Sequence, residues 1–304
     1  MKSAKLNQEL SLYAMLVLPV VIVFVYNYLP LIGIGMAFQD FTMTRKGFVY
    51  SLFHSSFVGL DVFKKLFRAP DMLEAIRNTI IISSMKIIAK IVFPLLFALL
   101  LNEVTKSWLK KLVTTVTYLP FFLSWVVLGG ILLDFFSPQD GAFNKLLVSI
   151  GGQSIYVFGN DKIFPIAVVI SDLWKEVGYN TIIFLAALTS IDVNLYEAAV
   201  MDGAGRLAQT RHITIPSMMP IVVLVIILSL GNILNAGQDQ ILNLYSPAVY
   251  STGEILDTYT FRLGIMEGQF SIATAAGLFK SIVSFVFISG SYLIANRFSN
   301  YRVF

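Results

Sequence analysis

The side chains best suited to chemistry in this chain are a few charged residues set inside long apolar stretches. In chain order they are Lys86, Lys90, Asp172, Lys175, Glu176 and Lys280. A charge at membrane depth costs about 2.5–3.5 kcal/mol on insertion scales, so such residues face the interior of a helix bundle or a wet cavity. Two interpretations stay open. Either the carboxylates pair with the lysines and hold the bundle in register, or the charges line a path and contact what passes through it.

Other polar or aromatic side chains in the apolar stretches are further candidates for such a path. They are Trp174, Asn180, Asn232 and Asn235. Asn232 and Asn235 are three residues apart and therefore share one helix face. Because asparagines in apolar helices also hydrogen-bond to neighbouring helices, a role in packing stays open for both.

The inventory of reactive groups argues against covalent chemistry. The chain has no cysteine, and its two histidines, His54 and His212, lie far apart in the sequence. We therefore expect no catalytic residue and no metal site. An intramembrane enzyme would need a nucleophile–base pair or a metal cluster, so this class of protein is disfavoured.

The composition indicates which elements must position these residues. Of the 304 residues, 57% are hydrophobic and only 13% are charged, and the mean hydropathy is +0.77. Soluble domains carry about 25% charged residues. The prediction is therefore an all-α integral membrane protein, a single transmembrane domain over residues 1–304 with six membrane-spanning helices. The predicted spans are Leu12–Phe38, Ile76–Leu101, Leu112–Phe135, Phe164–Ser190, Ser217–Gly237 and Ser271–Ala295.

Charge distribution predicts the orientation. Both termini are expected to be cytoplasmic, because Lys and Arg are denser in the segments that this topology places inside. The apolar run of the first span is too long for a signal peptide, so we expect a retained helix, bent near Pro19. Counting about 1.5 Å per residue from the outer helix ends places Lys86, Lys175 and Lys280 near one level at the midplane.

Two segments outside the spans have patterns of their own. Apolar residues in 59–67 recur at helical spacing opposite lysines, which predicts an amphipathic helix at the membrane interface. This helix is either a surface anchor or a gating element. Residues 238–270 are polar and acidic, and they either face an external protein or re-enter and pack the outer end of the bundle.

The most informative segment is the loop 191–216, between the fourth and fifth spans. Asn194 and Glu197 have the spacing of a capping box at the start of a short helix. Small residues keep that helix thin, so that another protein can approach closely, and two glycines end it by allowing left-handed backbone geometry. These residues are Ala198, Ala199, Ala204, Gly203 and Gly205. The pattern predicts a slim helix with one outward acidic side chain, suited to a socket on another protein.

This loop resembles the EAA loop of the binding-protein-dependent ABC importer permeases. The match consists of Glu197-Ala198-Ala199, Asp202-Gly203-Ala204 and Ile213 with Ile215-Pro216, at the family's spacing. The resemblance implies a type I ABC importer permease fold in which the loop is a cytoplasmic coupling helix seated in a groove of the ATPase subunit. The coupling residues that it implies are Tyr196, Glu197, Ala198, Ala199, Asp202, Gly203 and Ala204.

Stretches outside the loop are similar to the sugar-importer permeases of this family. They are Phe57–Phe63, Asn78-Thr79, Tyr118-Leu119-Pro120 and Trp174-Lys175 with Gly178-Tyr179. Three more stretches, Asp239–Asn243, Asp257–Tyr259 and Ala276–Ser281, are similar to a subgroup that imports oligosaccharides made from complex polysaccharides, including uronate-containing ones. Trp174 and Tyr179 would then supply aromatic faces beside the amides for a carbohydrate.

The function implied by the resemblance is the transmembrane permease subunit of an ATP-driven, binding-protein-dependent importer for an oligosaccharide. The lysines in the spans outnumber the carboxylates, and spare lysines seek anions, so an acidic, uronate-containing oligosaccharide is the expected substrate. The implied partners are a homologous second permease subunit, an ATPase subunit dimer and an extracytoplasmic solute-binding protein, with no nucleic acid. The implied location is the bacterial inner (cytoplasmic) membrane, crossed several times.

ATP is expected to bind elsewhere. The chain has no Gly-x-x-x-x-Gly-Lys-Ser/Thr phosphate-binding motif, so ATP and Mg²⁺ belong to the partner ATPase subunits and no cofactor is expected in this chain. The alternative function is a stand-alone secondary transporter or channel. That alternative accounts for the hydropathy and the buried charges, but it leaves the coupling loop unexplained.

Overall fold

Long apolar helices dominate the structure. The computed structural model describes residues 2–298, with side chains from 13 to 293. Within this part of the chain, four helices are long and apolar enough to cross a membrane, and the number rises to six if two bent helix pairs each form one span. The predicted all-α architecture is confirmed. The cytoplasmic location of the termini stays a prediction, because the arrangement of the helices alone does not fix which side of the membrane they face. Residue 1 and residues 299–304 lie outside the described residues.

The chain divides into two packed units, the first of which comprises residues up to Ala69 together with Thr260–Phe279. Its first elements are α1 (Lys2–Val23), a π-helical turn (Phe24–Tyr28), 3-10 turns (Leu29–Phe38), β1 (Gln39–Asp40), α2 (Phe48–His54), β2 (Ser56–Phe57) and α3 (Asp61–Arg68). The two short strands pair antiparallel. The helical segment continues through Pro19, and its irregular turns begin at Phe24, after the predicted bend. All side chains from 13 to 32 are exposed in this single chain, as befits an apolar helix that faces lipid or a partner.

Helix α3 is the amphipathic helix predicted over 59–67. Val62 and Leu66 are buried, whereas Lys64 is exposed. Its Phe63 packs against Phe38, and its Phe67 meets another ring of the same unit edge-on. The buried part of the apolar face therefore packs within the chain itself, while Phe67 stays 41% exposed. A position of this helix at the membrane interface stays a prediction.

The second unit comprises Pro70–Tyr259 and the residues from Lys280 onwards. Its helices are α4 (Pro70–Asn102), α5 (Ser107–Tyr118), α6 (Trp125–Phe135), α7 (Ala142–Ser149), α8 (Phe164–Thr189), α9 (Val193–Met201), α10 (Arg206–Gln209), α11 (Ile215–Gly231), α12 (Gln238–Leu244) and α13 (Tyr250–Gly253). Shorter turns are Leu119–Phe122, Thr210–Thr214 and Pro247–Val249. Helices α14 (Leu256–Phe261), continued by the π-helical turn Arg262–Met266, and α15 (Phe270–Phe298) complete the chain.

Helices α4 and α8 form the central pair of the second unit. One buried apolar cluster lies beside the half that contains Ile82 of α4 and Val168 of α8, and it includes residues of α6 and α12. A second cluster lies beside the other half, around Ile91 and Phe184, and it includes α11. The polar residues of the central pair lie between these two clusters, because 82 and 91 on α4 flank Lys86 and Lys90.

The third predicted span, Leu112–Phe135, is not one continuous helix. Helix α5 with its terminal 3-10 turn meets α6 at an angle of 101°. Pro120 opens the 3-10 turn, and the extended residue Ser124 caps α6, because its Oγ accepts a hydrogen bond from the N–H of Val127 (3.3 Å). Hydropathy averages over a break of this kind, so the sequence predicted one uninterrupted span.

The fifth predicted span, Ser217–Gly237, also differs at its ends. The helix is continuous from Arg206 to Gly231, so it begins inside the predicted loop 191–216. Residues 232–237 are not helical, and Gly237 has a left-handed backbone (φ 92°) before α12 begins. In the part of segment 238–270 that belongs to the second unit, Ile241, Ile255 and Leu256 are buried. This burial agrees with the re-entrant alternative, and a contact of the segment with an external protein stays a prediction.

The topology can be tested because the chain has no cysteine of its own. Met201 on α9 is 87% exposed and Val148 on α7 is 54% exposed, so each can be changed to cysteine without disturbing the core. We expect a membrane-impermeant maleimide to label Val148→Cys in intact cells and Met201→Cys in inverted vesicles only. Labelling on the opposite sides would contradict the predicted orientation, and the cysteine-free parent chain gives the background.

Candidate functional site

Lys86 lies at the centre of a buried polar network in the second unit. The residue is only 5% exposed, and its Nζ donates hydrogen bonds to the backbone carbonyl of Ala236 (2.7 Å) and to Oε1 of Gln240. The carboxylate of Asp172 lies 3.6 Å away. A buried ammonium needs acceptors of this kind to offset its desolvation, so the non-helical residues 232–237 are tied directly to α4.

Gln240 extends this network to α8. Its amide nitrogen donates to the carbonyl of Val168 (2.7 Å) and to Oγ of Ser171 (2.9 Å), and the side chain is fully buried. One amide thus joins α12 to α8, and through Lys86 to α4. Both polar atoms of the Gln240 side chain have hydrogen-bond partners. These bonds therefore specify where the re-entrant helix α12 lies.

Gly237 makes the contact with Lys86 possible. Its positive φ is a conformation that side chains with a Cβ rarely adopt, and a Cβ at this position would lie 2.8 Å from the Lys86 Nζ. The glycine therefore satisfies a backbone requirement and a steric one together.

A second group of charges joins α4 and α8 one turn further along. The Nζ of Lys90 lies 3.0 Å from Asp172 and 2.7 Å from Glu176. Lys90 is about one-third exposed in its side chain, whereas Asp172 is almost fully buried. These carboxylates and lysines therefore pair within the chain, as the first of the two interpretations of the buried charges predicts. The same residues still border an open cavity, so pairing does not remove them from a path.

Lys280 pairs with a residue that the sequence analysis had not counted. Its Nζ contacts Asp257 (2.5 Å) and Oδ1 of Asn235 (2.7 Å). The expected surplus of lysines over carboxylates becomes smaller once Asp257, which comes from the segment 238–270, is counted: Lys86, Lys90, Lys175 and Lys280 stand against Asp172, Glu176 and Asp257. Lys86, Lys90 and Lys280 each have a carboxylate within 4.0 Å.

Two polar cavities meet at these residues. The larger, about 420 Å³, lies between α4, α8 and α11. The smaller, about 380 Å³, lies beside α12 and Lys280. Both are lined by Trp125, Asn235 and Gly237, which therefore stand between them.

The structure brings most of the predicted path residues to these cavities. The larger cavity is lined by Lys86, Asp172, Glu176, Asn180, Asn232 and Asn235, together with Lys90 and Ser229, and Lys280 lines the smaller. Lys86 and Lys280 contact consecutive residues, Ala236 and Asn235, in keeping with their predicted common level.

Two predicted residues lie elsewhere. Trp174 lines an apolar cavity of about 540 Å³ with Phe135, Ile166 and Ile170, and Lys175 points toward the break in the third span. The aromatic side chain at the polar cavities is Trp125, which the sequence analysis missed, as it did Gln240 and Asp257. The sequence signal that could have identified Trp125 is a helix break: Trp125 directly follows Ser124, and Pro120 precedes both.

Lys175 and Tyr179, both on α8, contact the residues at the break in the third span. The Nζ of Lys175 donates to the backbone carbonyls of Phe121 and Leu123, both at 2.7 Å. It also lies over the rings of Phe121 (5.3 Å) and Trp125 (5.6 Å). Tyr179 stacks on Phe121 with ring centroids 4.0 Å apart. The two sequence stretches around 118–120 and 174–179 therefore form one contact.

The predicted coupling helix is α9, which leaves α8 at an angle of 66°. Its cap is Asp192 and not Asn194, because the Asp192 carboxylate accepts a hydrogen bond from the Asn194 N–H (3.0 Å). At the other end Gly203 has φ 79°, with Gly203 N–H bonded to the Val200 carbonyl and Ala204 N–H to the Ala199 carbonyl. Only one of the two predicted glycines is left-handed, since Gly205 has φ −71° and precedes α10.

The surface of α9 is open. None of its residues is buried, and Glu197, Ala198, Asp202 and Gly203 are exposed. The remaining predicted coupling residues, Tyr196, Ala199 and Ala204, are half-buried. The Tyr196 hydroxyl bonds Thr214 (2.9 Å), and Arg206 pairs with Glu103 at the end of α4 (2.6 Å). The helix is thus anchored on one side and presents acidic and apolar groups on the other.

Comparison with known proteins agrees with this arrangement. The sequence pattern of the family described as "Binding-protein-dependent transport system inner membrane component" matches residues 90–300. The chain is 37% identical to Protein LplB of Bacillus subtilis (strain 168), over 99% of this chain and 93% of that protein. It is 35% identical to the polygalacturonan/rhamnogalacturonan transport system permease protein YteP of the same organism, over 99% of this chain and 92% of that protein.

A solved structure shares the fold. A chain of the bacterial alginate ABC transporter, crystallised in complex with an alginate pentasaccharide-bound periplasmic protein, matches with a TM-score of 0.86 and 33% identity. The match covers 98% of both chains. The helices of this chain therefore have the same overall arrangement as a chain of a solved ABC transporter.

The requirement for glycine at position 237 can be measured. We expect Gly237→Ala to lower the unfolding temperature in detergent, because the left-handed backbone alone costs about 1–2 kcal/mol for a residue with a Cβ. The matched control is Gly130→Ala on α6, where an added Cβ meets open space. Equal unfolding temperatures for the two variants would show that the Lys86 contact tolerates a Cβ.

Proposed function

The chain belongs to the binding-protein-dependent transport system inner membrane components, and on this premise we propose that it is the transmembrane permease subunit of an ATP-driven importer for oligosaccharides. The type I ABC importer permease fold agrees with the predicted resemblance. The observation that carries the proposal is the double role of α8. This helix forms a wall of the polar cavity through Asp172 and Glu176, and beyond a sharp bend it leads into the exposed helix α9.

The mechanism follows from this connection. ATP and Mg²⁺ bind to separate ATPase subunits, and closure of their dimer moves α9, which sits in a groove of the ATPase. Because α8 is one continuous helix, displacement of its Thr189 end is carried to the cavity wall. The cavity then changes from inward-facing to outward-facing, and a docked solute-binding protein releases sugar into it. This chain performs no covalent step itself.

The coupling residues have distinct parts in this transfer. Glu197 and Asp202 are the exposed acidic groups of the α9 segment, while Ala198 lets the ATPase surface approach closely. Tyr196 holds the helix to Thr214. Gly203 turns the chain sharply toward α10, so that the fifth span begins directly after the helix. Movement of α9 thus reaches the fourth and fifth spans together.

The substrate class is supported by the relatives and by the character of the cavity lining. YteP is named for polygalacturonan and rhamnogalacturonan transport, and the solved neighbour carries alginate. Asn180, Asn232 and Asn235 offer amides for sugar hydroxyls, and Trp125 offers a ring face. We propose an acidic oligosaccharide as substrate. The support no longer comes from spare lysines, because those that line the cavities are paired with carboxylates of the same chain.

The working assembly contains more chains than this one. We propose a homologous second permease subunit, which completes the cavity, a pair of ATPase subunits and an extracytoplasmic binding protein, all in the bacterial inner membrane or beside it. The solved neighbour, a transporter with a periplasmic protein, supports this composition. A stand-alone secondary transporter would need none of these partners. Failure of any ATPase to co-purify with the chain would favour that alternative.

Charge reversal on α9 tests the coupling role. We expect Glu197→Lys to abolish hydrolysis of ATP stimulated by the sugar-loaded binding protein, because the change places a cation on the surface that contacts the ATPase. Gly203→Leu should do the same, since a side chain at its positive φ displaces the end of the helix. The measurement is ATPase activity of the reconstituted complex, after confirming that the chain is inserted.

Asp140→Lys is the matched control for Glu197→Lys. It makes the same change of charge at an exposed position of the loop before α7, far from α9 in the sequence. We expect normal stimulation in this variant. Normal stimulation in Glu197→Lys as well would refute the coupling assignment.

The acidic substrate class is tested with binding protein loaded with oligouronates or with their methyl esters. We expect the esters to stimulate ATP hydrolysis about tenfold less, because a hydrogen bond to a charged group contributes about 1.5–3 kcal/mol. Because Lys280 is neutralised by Asp257, the double variant Lys280→Gln with Asp257→Asn should keep this preference. Equal stimulation by esters and acids would argue against an acidic substrate.

A further inference from the structure

Lys175 is a buried ammonium without a carboxylate partner among the described residues. It is 7% exposed, and its contacts are the carbonyls of Phe121 and Leu123 and the two rings above them. The Phe121 and Leu123 carbonyls lie at the end of a helix, where the helix dipole is negative. A cation is therefore favoured at this position. The contact therefore fastens α8 to the bend of the third span and not to a straight helix.

The bend lies next to a residue of the cavity. Leu123 and Ser124 form the break, and Trp125 is the first residue of α6. Trp125 lines both polar cavities, and its ring lies 5.6 Å from the Lys175 Nζ. The position of Trp125 in the cavities is thus set by a break whose carbonyls are bound by α8.

The same helix bears α9 at its end. Lys175 and Thr189 are both on α8, which is continuous between them, and α9 follows after the 66° bend. A movement of α9 that displaces α8 also displaces the Lys175 ammonium. Because this group holds two carbonyls at 2.7 Å, the bend must follow it or the hydrogen bonds must break.

We propose that Lys175 is a positioning residue that carries the movement of α8 to the bend in the third span and so re-orients Trp125 toward the sugar. This assignment rests on the proposed function. In this proposal the break at Leu123 and Ser124 is a hinge, and the contact of Lys175 with its carbonyls moves α6 about that hinge. Sugar would then meet the face of Trp125 in one state of the cycle and not in the other.

The first measurement follows α6 directly in the assembled importer. A nitroxide is attached at Val126→Cys, next to Trp125, or at Ile182→Cys on α8, with the partner subunits prepared free of cysteine. Both positions are exposed and lie outside the contacts described above. We expect both labels to change mobility when ATP is trapped. A response at 182 without a response at 126 would overturn the proposal, whereas no response at 182 would count against the proposed function itself.

The second measurement removes the link. In Lys175→Met we expect stimulated ATP hydrolysis to continue while the response at position 126 is lost. Sugar transported per ATP should fall about fivefold or more, as expected for the loss of a coupling free energy of 1 kcal/mol or above. Lys175→Arg keeps the charge and the donors, so it should restore transport.

Lys175→Arg distinguishes a positioning role of residue 175 from a role in the stability of the chain alone, because it keeps the charge and the hydrogen-bond donors. If Lys175→Met keeps both the response at 126 and full transport per ATP, the residue is not the link. If Lys175→Met does not fold, the comparison of labels in the otherwise unchanged chain can still refute the proposal, because a response at 182 without one at 126 excludes a link between the two helices.

Discussion

The hydrogen bonds of the Lys86 ammonium are the constraint on which the second unit depends. An ammonium buried between apolar helices is tolerated only with acceptors around it, and here these are the Ala236 carbonyl, the Gln240 amide and Asp172. One of the three, the Ala236 carbonyl, comes from the segment where the fifth span stops being helical, and a second, Gln240, comes from α12 directly after it. The charge therefore requires the break, and the break places Asn235 and Gly237 between the two cavities. Removal of one partner would leave the others buried without compensation, which costs about 3–5 kcal/mol.

Ion pairing gives the cavity a particular electrostatic character. Lys90 is shared by Asp172 and Glu176, and Lys280 is held by Asp257. The carboxylates and lysines that line the cavities therefore largely neutralise one another before any solute arrives. A sugar that enters meets amides, the ring of Trp125 and paired charges, which suits hydroxyl-rich ligands. Under the proposed function, any additional positive charge for a uronate would come from the proposed second permease subunit.

Local patterns predicted most of the helices, including the short helix α9, whereas contacts between residues distant in sequence determine the candidate site. The left-handed Gly203 and the thin helix α9 could be predicted because their causes lie within a few residues. The cap at Asp192 instead of Asn194 was a near miss of the same local kind. The pairing of Lys280 with Asp257 could not be predicted, because it depends on how segment 238–270 folds back. The bend at Ser124 has local causes in Pro120 and Ser124, whereas the contact of its carbonyls with Lys175, a residue on another helix, could not be predicted from them.

The bend in the third span has a consequence for biogenesis. Its α5 and α6 segments leave the ribosome before α8, so the Phe121 and Leu123 carbonyls are made before the lysine that binds them. An unsatisfied backbone group in lipid costs several kcal/mol, and an isolated lysine there costs about 2.5–3.5 kcal/mol. Each defect is relieved by the other. The third and fourth spans are therefore expected to integrate into the bilayer most favourably as a pair.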